Sequence, residues 1–344
     1  MRRQRAVYGL PAAVARVWIS RTDASTMGQA TTVAGESPRM RRGVVFWLKA
    51  ARAPFFTGSL APILVGTALA FSGSGHLNWA YAVLALLALT CLHAGANLAN
   101  DYYDHVSGND EANVRYATPF TGGSRFIQEG KAKPGEILLA SLISLGLGGV
   151  TGVYLVWATG WPVLALGVVG AVTGFCYSAP PLKLGYRGLG EGFIMLDFGV
   201  LPVLGAYYVQ TEAFTLPALV ASLPVGFLMT NVLWINQFQD ADADAAADKR
   251  NWVVRLGRRR SVAVHIALFA LTYAAIAAGI IWRLLPGWSA LAFLAVPIAV
   301  RASAVSAKRY DQLDRLTPAN VATVGAHLVT SLLLAIGLVL SRVL

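Results

Sequence analysis

Leu92-His93-Ala94-Gly95-Ala96-Asn97-Leu98-Ala99-Asn100-Asp101-Tyr102-Tyr103-Asp104 closes an apolar run that begins near residue 79. A second run, beginning near residue 215, closes as Ile235-Asn236-Gln237-Phe238-Gln239-Asp240-Ala241-Asp242-Ala243-Asp244. Both carry Asn and Asp four residues apart, and the offset between the two pairs is the same (236 − 100 = 240 − 104 = 136). Four residues turn a helix face by only about 40°, so Asn100 and Asp104 share a face, as do Asn236, Asp240 and Asp244. Two such faces brought together make an oxygen-lined cage suited to Mg²⁺, which usually takes one or two carboxylates plus substrate phosphates. On a greasy chain, this pattern points to an enzyme of lipid pyrophosphates.

The chain is greasy throughout. Of its 344 residues 56% are hydrophobic and 13% charged, with a mean hydropathy of +0.56; a soluble domain carries about 25% charged residues. An integral membrane protein in a lipid bilayer is expected. Apolar spans are predicted near 54–74, 79–100, 137–158, 161–178, 190–210, 215–237, 261–282, 288–305 and 322–341, each long enough, or nearly so, to cross about 30 Å of hydrocarbon. The fold class is therefore all-α, an integral membrane bundle of about nine transmembrane helices, over residues 39–344.

The net charge of +11 sits in every second loop, which is the positive-inside pattern and not a nucleic-acid-binding stripe. Basic residues precede the first span (Arg39, Arg41, Arg42, Lys49, Arg52) and follow the second, fourth, sixth and eighth, whereas the opposite loops hold only Arg283. This places the N-terminus and both acidic clusters on the cytoplasmic side of the cell (inner) membrane, with the C-terminus outside. Cys91 and Cys176 fall inside apolar runs and imply no disulfide framework. Residues 1–38, with five arginines and Pro11 interrupting the only apolar stretch, are expected to be a disordered or misassigned extension rather than a targeting segment.

An Asp-rich loop is ordinarily a solvated loop. Here the carboxylates begin within a residue or two of apolar spans, where an unpaired charge costs about 2.5–3.5 kcal/mol at mid-bilayer. Cations suited to phosphate follow each cluster: Arg125 and Lys131 after the first, Lys249 and Arg250 after the second. Thr121-Gly122-Gly123-Ser124 offers N–H groups and hydroxyls for phosphate oxygens. Tyr177-Ser178-Ala179-Pro180-Pro181-Leu182-Lys183 caps the fourth span; Lys183 either reaches a phosphate or obeys the positive-inside rule. Glu191 either starts the fifth helix or faces a polar cavity, and Asp197, inside that span, is expected to face one. His93, His105 and His265 lack metal-ligand partners at helical spacing and are read as structural.

These residues resemble the UbiA superfamily of membrane prenyltransferases, whose pattern Asn-Asp-x-x-Asp after span two and Asp-x-x-x-Asp after span six is matched here. Asn97-Leu98-Ala99-Asn100-Asp101-Tyr102, Tyr177 to Pro181 with Tyr186-Arg187-Gly188-Leu189-Gly190-Glu191, and Val253-Val254-Arg255-Leu256-Gly257 look like its 1,4-dihydroxy-2-naphthoate polyprenyltransferase branch. Gly108 stands where many members have a further Asp, with Asn109-Asp110 following, which is similar to the naphthoate branch. Trp252 stands where relatives often have a small aliphatic residue.

The resemblance implies that Asp104, Asp240 and Asp244, with Asn100, Asn236, Asp101 and Asp110, hold Mg²⁺ on a polyprenyl diphosphate. Asn100, Arg125, Lys131, Lys183, Asn236, Lys249 and Arg250 are then expected to bind the diphosphate, and Glu191 and Asp197 to meet an aromatic acceptor. It implies prenyl transfer to 1,4-dihydroxy-2-naphthoate with loss of CO₂, a tail channel between helices, and residues 111–136 as a lid. The sequence leaves as alternatives another acceptor (4-hydroxybenzoate, homogentisate, an isomeric naphthoate, a glycerol lipid) or a secondary transporter. Transporter sites, however, lie near the bilayer midplane, not at one face.

Overall fold

A computed structural model describes residues 43–117 and 119–344; the expectation for residues 1–38 lies outside them. Nine long elements, here α1 to α9, follow in order: Ala53–Ser74, Trp79–Val106, Pro134–Thr159, Pro162–Phe175, Gly190–Thr211, Leu216–Ala246, Arg258–Ile281, Gly287–Arg309 and Thr317–Val343. Short helices Val44–Ala50, Asn109–Ala112 and Trp252–Leu256 connect them. Among the described residues there is no strand. In a bilayer this is the expected solution, because a helix satisfies its own backbone groups.

The helix ends are set by local chemistry. Gly75, at φ 75°, closes α1 in the left-handed region, and Asn78 caps α2 by accepting from the Tyr81 N–H at 3.2 Å. Pro134 opens α3 behind the Lys133 N–H, which donates to Glu136 at 2.7 Å. Thr215 caps α6 through the Ala218 N–H at 3.3 Å. Asn251 caps the helix Trp252–Leu256 through the Val254 N–H at 2.9 Å.

Eight of the nine are long and apolar enough to cross a membrane. The exception is α4, whose 14 residues reach only about 21 Å. The expected span 161–178 is cut short because the chain leaves the helix at Cys176 and meets Pro180-Pro181. In the other direction, α2 and α6 run past the apolar stretches read from the sequence, to Val106 and Ala246. Both acidic clusters therefore stand on helical turns rather than in loops.

The centre of the bundle is α6, which is 72% buried over its most apolar window, while α3 is 17% buried and presents Leu142, Ile143, Val150 and Trp157 outward. Close crossings depend on glycine. At Gly199 of α5 an added Cβ would lie 2.3 Å from Gly226 Cα of α6, and at Gly66 of α1 it would lie 2.4 Å from the Val203 carbonyl oxygen of α5. Small residues at such crossings let membrane helices approach closely. The short helix Asn109–Ala112 packs on both α2 and α6 and so joins the two acid-bearing helices.

Candidate active site

The C-terminal turns of α2 and α6 open on one polar cavity of about 170 Å³. Its walls carry Asn100, Asp104, Asn236, Asp240 and Asp244 from the two matched faces, with Asp110 and Lys249 from the loops that follow. The four-residue spacing thus brings together five side chains from segments 136 residues apart (236 − 100).

Lys249 stands between the two faces. Its ammonium donates to Asp104 Oδ2 at 3.1 Å and lies 3.5 Å from Asp244 Oδ1. Burial disfavours that charge, but Asp104 and Asp244 outweigh burial and hold the Lys249 pKa well above the usual lysine range. Asp104 also accepts from the Tyr186 hydroxyl at 2.8 Å and from Asn100 Nδ2 at 2.9 Å. Asp240 accepts from Asn113 Nδ2 at 2.6 Å, and Asp244 from Asn251 Nδ2 at 2.7 Å. Asp110 is buried beside Asp104 and Asp101, and burial first, then those like charges, push its pKa up to about 9.

The donor set suits a hard divalent cation. Among the described residues Asn109 Oδ1 is a buried oxygen that accepts no hydrogen bond, and Asp244 Oδ1 meets the Lys249 ammonium at 3.5 Å. Among the described residues no three Asp, Glu, His or Cys side chains converge enough to hold a metal by themselves. The two Asn oxygens are already engaged: Asn100 Oδ1 accepts from Arg52 at 2.9 Å, and Asn236 Oδ1 accepts from Asn320 at 2.8 Å. Asn100 therefore buttresses Asp104.

The loop after cluster one closes over the cavity with Phe120, Thr121, Gly122 and Gly123. Gly122 and Gly123 stand at φ 78° and 71°, and an added Cβ at Gly123 would come within 3.0 Å of Asp101 Oδ1 and Asp110 Oδ2. Only glycine lets this backbone lie so close to the carboxylates. The Ser124 N–H is 3.2 Å from Asp101 Oδ2, and Arg52 Nη2 is 3.4 Å from Asp101 Oδ1. Asp101 thus anchors the loop and does not line the cavity.

Several expected contacts lie elsewhere. Arg125 donates to the Asp110 carbonyl at 2.5 Å and covers the Tyr116 ring, and Lys131 pairs with Glu129. Glu191 Oε1 accepts from Gln237 Nε2 and the Trp252 N–H, both at 3.0 Å, which makes it a brace between α5, α6 and the helix Trp252–Leu256. Lys183 and Arg250 face a separate pocket. Asp197 does line the cavity, on a π-helical turn of α5 (Leu196–Val200), where Thr173 Oγ1 is 2.7 Å away.

Asp197 also lines a second, apolar cavity of about 300 Å³ among α1 to α5. His93 holds Ser59 at 2.9 Å yet also faces the polar cavity. Arg52, Asn109, Asn113 and Gln237 were not singled out by sequence. For Asn109 and Asn113 a signal existed, since Asn109-Asp110-Glu111-Ala112-Asn113 echoes the spacing of cluster one. Arg52 and Gln237 are placed by the packing alone.

An all-α membrane bundle with two matched carboxylate faces around one polar cavity defines the class of protein. The UbiA prenyltransferase family matches over residues 59–340, and the chain belongs to that family; it is a membrane-embedded prenyltransferase.

The 1,4-dihydroxy-2-naphthoate octaprenyltransferase of Escherichia coli is 31% identical over 303 residues, covering 86% of this chain and 96% of that one. A 2-carboxy-1,4-naphthoquinone phytyltransferase of Synechocystis is 29% identical over 293 residues, covering 85% and 92%. Among solved structures, a UbiA homologue from Archaeoglobus fulgidus bound to GPP and Mg²⁺ aligns with a TM-score of 0.57 at 17% identity, covering 84% of this chain and 99% of that one. The fold is shared with it.

Proposed function

We propose that this enzyme transfers a polyprenyl group from polyprenyl diphosphate to 1,4-dihydroxy-2-naphthoate, with loss of CO₂, in menaquinone biosynthesis at the cytoplasmic face of the membrane. The observation that carries the reading is the cavity on which Asp104, Asp240, Asp244 and Lys249 converge, with Asp197 lining both it and an apolar space among five helices. A diphosphate head requires the first and a prenyl tail the second. The naphthoate acceptor is supported by relatives of that name at about 30% identity over most of their length, and the metal by the bound Mg²⁺ of the Archaeoglobus homologue.

Asp104, Asp110, Asp240 and Asp244 would hold Mg²⁺, which when bound neutralises the diphosphate as it leaves. Lys249 then offers its ammonium to the same oxygens, in a cavity where each charge counts for more than in water. The C1–O bond of the donor breaks with its electron pair going to pyrophosphate, leaving an allylic cation. The carboxylated ring carbon attacks C1, a C–C bond forms, and the carboxyl group leaves as CO₂, its bonding pair restoring the aromatic ring. Phe55, Phe198 and Met229 on the cavity wall limit water near the cation, and Phe120 to Gly123 close its loop side.

The test is transfer from labelled polyprenyl diphosphate to a panel of aromatic acceptors, with Mg²⁺ present or chelated. Product and CO₂ from 1,4-dihydroxy-2-naphthoate, lost with chelator, are expected. Product from 4-hydroxybenzoate or homogentisate alone would overturn the acceptor and keep the class.

A further inference from the structure

Behind Tyr186, away from the polar cavity, lies a second pocket of about 420 Å³ walled by Lys183, Arg187, Arg250 and Arg255, with Asp248 as its only acid. Two loops at the same end of the bundle build it, one following α4 and one following α6. They are stitched together through backbone carbonyls. The Arg250 N–H donates to the Tyr186 carbonyl at 2.8 Å, and Arg255 donates to the carbonyls of Arg187 and Arg250 at 2.8 and 2.7 Å. Gly188 stands at φ 75°, and an added Cβ there would lie 3.1 Å from the Arg255 guanidinium. Lys183 adopts left-handed backbone, at φ 44°, a conformation a lysine keeps where its surroundings enforce it; Asp248, at φ 55°, does so as an aspartate readily can.

The cations of this pocket are poorly compensated. Lys183 lies 5.1 Å from the centroid of the Tyr186 ring and has no ion pair among the described residues. Among the described residues Arg250 pairs only with Asp248, 2.8 Å away, and both side chains are largely exposed, so that pair is weak and exchangeable. Neighbours in sequence diverge here: Lys249 turns into the polar cavity and Arg250 into this pocket. Tyr186 is the shared wall, its hydroxyl on Asp104 and its ring beside both Lys183 and Lys249.

We propose that this pocket is a second anion site that takes a phosphate group at the membrane surface, from an anionic phospholipid headgroup or from free phosphate. Arginine forks and a lysine are the groups that recognise phosphate, and basic pockets between membrane helices at the polar surface take lipid headgroups. A phosphate held there ties the loop 183–188 to the loop 247–255, which keeps Tyr186 and Lys249 seated on Asp104. The site does not depend on which acceptor the enzyme uses.

Purified full-length protein in neutral detergent with EDTA tests this through two probes: retention of phosphatidylglycerol against phosphatidylcholine by native mass spectrometry, and binding of labelled inorganic phosphate by equilibrium dialysis. Wild type is expected to bind at least one probe. The double variant Lys183→Gln/Arg250→Gln should weaken that binding at least about tenfold, and Asp248→Asn, which removes the opposing charge, should tighten it. Asp104→Asn should weaken it far less than the double variant does. Retention of phosphatidylglycerol alone identifies the lipid as the source, and inorganic phosphate binding identifies the soluble anion. Binding of neither probe by wild type, equal binding by the double variant, or loss of binding in Asp104→Asn overturns the proposal.

Discussion

At the scale of single residues, the cavity holds several carboxylates close together with one ammonium between them. Asp104 is fixed by four donors, Tyr186, Lys249, Asn100 and Asn109, so its orientation does not depend on the substrate. Asn251 does two things with one side chain: its oxygen caps the helix Trp252–Leu256 and its amide holds Asp244. Replacing Asp104 or Asp240 by Asn keeps the size and removes the charge. Each variant is expected to lose at least about 100-fold in turnover while still eluting as folded protein, measured as labelled prenyl transfer by the purified protein. Near-normal transfer by Asp240→Asn would remove it from the metal site. Lys249→Ala leaves Asp104 and Asp244 facing each other without their cation, and is expected to raise the KM for the prenyl donor about tenfold, the equivalent of one lost charge-assisted hydrogen bond. The acceptor KM should stay as it was; a donor KM unchanged in steady-state kinetics would exclude a diphosphate contact.

At the scale of elements, the position of α5 sets both cavities. Its π-helical turn, Leu196–Val200, puts Asp197 at the junction of the polar and apolar spaces, and such turns are frequent at functional sites. That turn also carries Gly199, which meets Gly226 of α6 almost backbone to backbone. Gly199→Ala therefore forces the two helices apart and is expected to cost about 1–3 kcal/mol, read as a lower melting temperature in detergent together with reduced transfer. Gly192 on the same helix is exposed and an added Cβ there meets nothing within 4 Å. Gly192→Ala is expected to be neutral or to gain up to about 1 kcal/mol. Equal melting of the two variants would show that the α5–α6 crossing is not tight.

For the whole molecule, the acidic ends of α2 and α6 and a row of exposed tryptophans lie at opposite ends of the bundle. Trp79 begins α2, Trp157 is near the end of α3, Trp161 precedes α4, Trp282 follows α7 and Trp288 is near the start of α8; all are at least 46% exposed. Tryptophan favours the membrane–water boundary, so this row marks one interface and the active-site mouth the other. In a Cys91→Ala/Cys176→Ala background, His76→Cys is expected to react with an impermeant maleimide in intact cells, and Glu129→Cys only after permeabilisation. The reverse pattern would move the active site to the outer face.

The sequence alone determined the membrane bundle and the two carboxylate faces, because both depend on local patterns: long apolar runs and a four-residue spacing on a helix. It placed Asn100, Asp104, Asn236, Asp240, Asp244 and Lys249 together because a repeated motif implies repeated geometry. Tertiary structure decided how each cation is used. Lys249 faces the cavity while Arg250, one residue on, faces the outer pocket; Arg125 and Lys131 are spent on a carbonyl and a surface carboxylate; Glu191 braces helices. Backbone turns after the helix ends set those directions, and such turns leave little trace in composition or spacing. Packing likewise decided that Arg52, far from either motif, reaches Asn100, and that Asp197 lines both cavities. These are contacts between segments distant in sequence, and their geometry exists only once the helices have crossed.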